Sequence, residues 1–151
     1  MKSPGRFWRN EQQLFWILRW VLGAVFIWAS WPKIFNPQAF AGIVANYRLL
    51  PPSLLNPVSL LIPWLELLCG LLLISGYLVR GASLVIVLLL SVFLAALLQS
   101  LLRGIDLSCG CFSVETHAGG GLPLDILRDL LLLFAGLWML YYAVKSAQLA
   151  E

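Results

Sequence analysis

VSLLIPWLELLCGLLLISGYLVRGASLVIVLLLSVFLAALLQSLL, residues 58–102, is the stretch on which the fold turns. Glu66 and Arg80 are its only charged side chains, and Leu, Ile and Val dominate the rest. A bilayer core about 30 Å thick takes about 20 helical residues, so this stretch is long enough for two crossings. Arg80-Gly81 is the one break, and so short a turn requires an antiparallel helix pair. Spans are therefore expected over about 58–79 and 82–102. Working outward, similar apolar runs recur over about 14–35 and 123–144. The expected fold is an all-α membrane protein, a four-transmembrane-helix bundle occupying 14–144 between a polar segment at 1–13 and a tail at 145–151.

Composition agrees. The 151 residues are 61% hydrophobic and 11% charged, against about 45–50% and about 25% in a soluble domain. The lipid bilayer is the expected surroundings of most of the chain. A net charge of +3 spread over the sequence excludes a nucleic-acid partner and carries topology information instead. Trp31-Pro32-Lys33 follows the first apolar run where a signal peptide would end in small residues, so no cleavable leader is expected.

The connector between the first two spans, residues 36–56, has helical periodicity of its own. Phe40, Ile43, Val44 and Tyr47 fall at i, i+3, i+4 and i+7, behind Asn36-Pro37 and ahead of Pro51-Pro52. A short interfacial helix fits this pattern, its apolar face turned either to the membrane or onto the end of the bundle. Lys2, Arg6, Arg9, Arg80 and Lys145 fall on the side of the termini, and Lys33, Arg48 and Arg103 on the other. That excess puts the termini in the cytoplasm and both long connectors outside it.

Ionisable residues inside the spans are unevenly placed. Lys33 stands at the outer end of the first span, and Glu66 lies in the second. Asp125, Arg128 and Asp129 share one face of the fourth at i, i+3 and i+4. The inner halves of spans two to four hold no acidic or basic side chain. A charge in hydrocarbon costs several kcal/mol unless partnered, so Glu66 is expected to pair with Lys33 or Arg128, and Asp125 or Asp129 with the remaining cation. Such a cluster is either a packing clasp or the lining of a polar pocket that relays protons or binds a polar ligand head. The two roles are compatible.

The second connector carries Leu107-Ser108-Cys109-Gly110-Cys111-Phe112-Ser113. Disulfide geometry favours Cα atoms about 5.5–6 Å apart, which an extended Cys-x-Cys does not supply, and Gly110 gives the backbone freedom to bend. So small a ring adds little chain-entropy stabilisation, and a strained, exposed disulfide is the labile kind. Three readings follow for Cys109 and Cys111: thiol–disulfide exchange, metal ligation with His117, or a structural role. The spacing is not the Cys-x-x-Cys usual at zinc and a fourth ligand is wanting, so no metal is assigned. Arg103 or Arg128 is placed to favour a thiolate, and Cys69, one turn deeper than Glu66, would line an inward route.

Ser30-Trp31-Pro32-Lys33, Pro63-Trp64-Leu65-Glu66 with Gly70, and Cys109-Gly110-Cys111-Phe112 before the fourth span together resemble the DoxX-like superfamily, and within it the methylamine-utilisation MauE family. The resemblance covers most of the chain from Leu14 to Val144. It implies a bacterial inner-membrane protein linked to periplasmic redox chemistry, with a thioredoxin-like partner and, from other DoxX-like proteins, a quinone near Glu66. The expected function is thiol–disulfide oxidoreduction by Cys109 and Cys111. The alternative is a non-catalytic membrane subunit or maturation factor, with the cysteines structural or metal-binding. A transporter is disfavoured, because the buried charges stop at the outer half.

Overall fold

The computed structural model describes residues 4–47, 50–102 and 122–148. They form five helices: α1 (Pro4–Phe35), α2 (Pro37–Asn46), α3 (Pro52–Ser75), α4 (Val79–Leu102) and α5 (Leu122–Gln148). Four of these, all but α2, are long and apolar enough to cross a membrane. At 1.5 Å per residue, the 24 residues of α3 or α4 make a helix about 36 Å long, enough for a core of about 30 Å. The chain is an all-α, multi-pass membrane protein.

Prolines mark where several helices begin. Pro37 and Pro52 stand in the first turns of α2 and α3, where a missing N–H costs nothing because that group has no intrahelical acceptor. Pro32, Pro57 and Pro63 lie further inside α1 and α3 without ending them. Each removes one backbone hydrogen bond, a loss the long flanking helix and its packing tolerate. For the same reason α3 starts at Pro52, ahead of the span limit expected near residue 58.

The turn between α3 and α4 also differs from expectation. It comprises residues 76–78, and Arg80 and Gly81 belong to the first turn of α4. Gly76 closes α3 in the left-handed region at φ 80°, its N–H donating to the carbonyls of Leu72 (3.1 Å) and Leu73 (3.2 Å). Glycine is the residue that takes this conformation without a Cβ clash. A Cβ on Gly81 would meet nothing within 4 Å, so that glycine is not the one the turn requires.

Around the bundle the neighbours run α1, α3, α4, α5 and back to α1, with the α1–α3 and α4–α5 seams the most extensive. The core is built from Leu22 and Phe26 of α1, Cys69 and Leu73 of α3, Ile86 and Leu90 of α4, and Met139 of α5. Gly23 and Gly70 let α1 and α3 approach closely. A Cβ on Gly70 would stand 2.8 Å from the Gly23 carbonyl oxygen. Small residues at such crossings are the usual means of bringing two membrane helices into backbone contact. Trp28, Trp31, Phe35, Trp64 and Phe134 point outward, an apolar surface suited to lipid and not to water.

The helix α2 packs on the bundle. Phe40 and Ile43 are buried against α3 and α1, so the apolar face read from the sequence turns onto the end of the bundle instead of onto a membrane surface. At the opposite end, Arg19 is buried, lies over the Trp16 ring (4.1 Å to the centroid) and donates to the Ile74 carbonyl at 3.2 Å. It therefore satisfies one of the C-terminal carbonyls of α3, that of Ile74.

Candidate functional site

Lys33 lies in the last turn of α1, just before the chain reverses into α2. Its ammonium donates to both carboxylate oxygens of Glu66, at 2.7 and 2.8 Å. Lys33 is 1% exposed and Glu66 2%, so this is a buried, bidentate ion pair. Taking both charges out of water costs several kcal/mol each, and two short charge-assisted hydrogen bonds offset that cost. Two aromatic rings support the cation further. Phe40 of α2 and Phe93 of α4 have centroids 5.1 and 5.2 Å from Lys33 Nζ, within cation–π range.

Asp129 of α5 completes the cluster. It is 1% exposed, its Oδ2 has no hydrogen-bond partner among the described residues, and it lines the same cavity as Lys33 and Glu66. The cavity measures about 20 Å³, and Phe26, Leu90 and Phe93 supply part of its apolar wall. One helical turn toward the start of α5, Asp125 pairs with Arg128 at 3.1 Å, and both side chains are partly exposed. Tyr47, just past α2, senses the same acids. Burial, and then the charges of Asp125 and Asp129, push its phenol up to about 12 from the ordinary 10.0.

All of this gathers toward one end of the bundle. α1 ends there, α3 begins there, and the connector between Leu102 and Leu122 leaves and returns there. The other end is marked by Arg19, Gly76 and the Phe15–Tyr142 ring contact (4.9 Å between centroids). Between lies the dry core of Leu22, Leu73, Ile86 and Met139.

The family model described as "Methylamine utilisation protein MauE" matches residues 11–142. The chain belongs to the MauE family. It is 36% identical to the "Methylamine utilization protein MauE" of Methylophilus methylotrophus over 105 residues, covering 69% of this chain and 55% of that protein. To the protein of the same name from Paracoccus denitrificans it is 34% identical over 103 residues, 68% of this chain and 55% of the relative. The matched stretch thus spans about half the length of these curated relatives. No solved structure matches the chain.

In this MauE-family chain, the structure brings Lys33, Glu66 and Asp129 together and sets Asp125 and Arg128 beside them. Of the two partners expected for Glu66, Lys33 is the one that holds it, and Arg128 forms an ion pair with Asp125. Cys69 is buried in the core beside Leu22, Phe26 and Leu73. Cys109, Cys111, Arg103 and His117 lie outside the described residues. Sequence reading missed Phe40 and Phe93, which flank the ammonium, because a Phe in an apolar helix carries no signal distinguishing a cation–π wall from lipid-facing filler. Arg19, at the other end, turns inward onto the C-terminus of α3.

The cavity beside Glu66, about 20 Å³ among the described residues, has room for about one water, which needs about 10–15 Å³.

Proposed function

We propose that this MauE-family chain is a redox-associated protein of the bacterial cytoplasmic membrane, its termini in the cytoplasm and its Cys109–Cys111 connector in the periplasm. In this reading Cys109 and Cys111 exchange with a thioredoxin-like partner. A thiolate of the pair attacks the partner's disulfide, a mixed disulfide forms, and the second thiol displaces the partner's dithiol. Two electrons and two protons pass to the partner, and Cys109–Cys111 is left as a disulfide. The reverse sequence reoxidises the partner. The names of the relatives add methylamine utilisation, and the reading assigns this chain to maturation of a disulfide-containing enzyme in such a pathway.

The observation that supports the reading is the one-sided gathering of buried acids and cation. Lys33, Glu66 and Asp129 cluster toward the end of the bundle where α4 hands over to the Cys-Gly-Cys connector. Exchange between thiols and disulfides moves protons as well as electrons, and ionisable groups on that side alone suit chemistry completed on that side alone. The test is to replace Cys109 and Cys111 singly with Ser. Each variant is expected to lose function in the host, and one of them to accumulate a mixed disulfide with a thioredoxin-like protein. Full function in both single variants would sink the proposal.

A second reading is favoured by the closure of the Lys33–Glu66 pair, whose two hydrogen bonds and ring walls leave it well satisfied. Here the pair is a clasp between α1 and α3 in a non-catalytic subunit or maturation factor. This alternative expects the Cys→Ser variants to keep function and the chain to purify with a larger complex.

A further inference from the structure

Among the described residues, five charged groups lie toward the loop end of the bundle: Lys33 from α1, Glu66 from α3, and Asp125, Arg128 and Asp129 from α5. From α2, Tyr47 is neutral with its phenol at about 12, and the cavity wall from α4 is the apolar Leu90 and Phe93. With all three carboxyls ionised, these five groups set two cations against three anions and carry one net negative charge among themselves. Glu66 takes the Lys33 ammonium with both oxygens, and Arg128 holds Asp125. The remaining acid, Asp129, is the deeper of the two on α5, 1% exposed and with a buried oxygen lacking a protein partner among the described residues.

A buried carboxylate without hydrogen bonds is costly, and two things relieve that cost: a proton or a water. The cavity that Asp129 shares with Lys33 and Glu66 has room for one water at about 20 Å³. We propose that this cavity is a proton-binding site, in which one water links Asp129 to the Lys33–Glu66 pair and the Asp129 carboxyl holds the proton that neutralises the cluster. Asp125 and Arg128, on the loop side of Asp129 in α5, are both partly exposed, so the proton exchanges with the loop end. The inward path is closed by Leu22, Leu73, Ile86 and Met139. The site stores a proton and does not pass it across the membrane.

The proposal concerns Asp129 and stands apart from the cysteine exchange. Its failure leaves Cys109 and Cys111 untouched, and theirs leaves it intact. The chain has only three aspartates, Asp106, Asp125 and Asp129, so ¹³C-aspartate labelling is nearly site-specific. Infrared spectra of labelled full-length protein in lipid nanodiscs should show an isotope-shifted protonated-carboxyl C=O band at neutral pH, with a small further shift in D2O. The band should survive Asp106→Asn and Asp125→Asn and vanish in Asp129→Asn. Should Asp129→Asn fail to fold, the labelled Asp106→Asn/Asp125→Asn double variant, in which Asp129 is the one aspartate left, gives the same answer. Absence of the band at neutral pH, or its persistence in folded Asp129→Asn, overturns the proposal.

Discussion

Lys33 and Glu66 depend on each other in a way that neither residue alone discloses. The ammonium sits between two carboxylate oxygens and two phenyl rings, out of contact with solvent. Removing one partner strands the other as a buried charge, which costs about 3–5 kcal/mol, whereas replacing both with apolar groups is often neutral. Glu66→Gln should therefore lower thermal stability in detergent sharply, and Lys33→Met/Glu66→Met should recover most of the loss. Equal melting of Glu66→Gln and the parent would show that the pair does not hold α1 to α3. Tyr47 gives a second residue-scale expectation. With a folded value of about 12 against 10.0, the unfolded chain releases the phenolic proton first, so stability falls as pH rises from about 10 to about 12. Tyr47→Phe should flatten that alkaline loss, as followed by unfolding at a series of pH values. The Lys33–Glu66 pair was legible in the sequence because a charge in hydrocarbon needs a partner. Its aromatic walls were not, since nothing in an apolar run says which Phe faces a cation.

Among the elements, α3 is the organising helix, meeting α1 along one seam and α4 along another while α2 also packs against it. Its seam with α1 depends on the close backbone approach at Gly23 and Gly70, where an added Cβ falls within 3 Å of backbone or side-chain atoms. Gly70→Ala should cost about 1–3 kcal/mol through overpacking. Gly42→Ala in α2, with nothing within 4 Å of its new methyl, should be neutral or stabilising by about 0.5–1 kcal/mol. Denaturant titration of the two variants side by side measures the contrast, and equal behaviour would contradict the close crossing. The four long helices were readable from length and apolarity. Their limits were not, because Pro57 and Arg80-Gly81 look like breaks in a sequence and act as interior or first-turn residues once Pro52 and Gly76 supply the start and stop. Arg19 shows the same limit, since a basic residue one turn inside a span suits snorkelling and helix capping equally until the end of α3 is placed beside it.

At the scale of the whole molecule, the bundle is asymmetric along its length. One end holds an enclosed cluster of charge, the middle is dry, and the other end is closed by Arg19 over the α3 terminus. The order of helices around the bundle came only from the structure, because four runs of similar apolarity carry no ranking of neighbours. Membership of the MauE family was legible in the motifs near Lys33, Glu66 and Cys109-Gly110-Cys111 and is shown by the match over residues 11–142. Our central claim is that the outer cysteines are a working redox pair served by an otherwise closed bundle. Differential thiol alkylation with mass spectrometry, on purified full-length protein before and after incubation with reduced and oxidised thioredoxin, tests it most directly. The account predicts that Cys109 and Cys111 switch together between blocked and alkylated forms according to the thioredoxin supplied, while the buried Cys69 stays unchanged. Cysteines that keep one state whichever thioredoxin is added would contradict it.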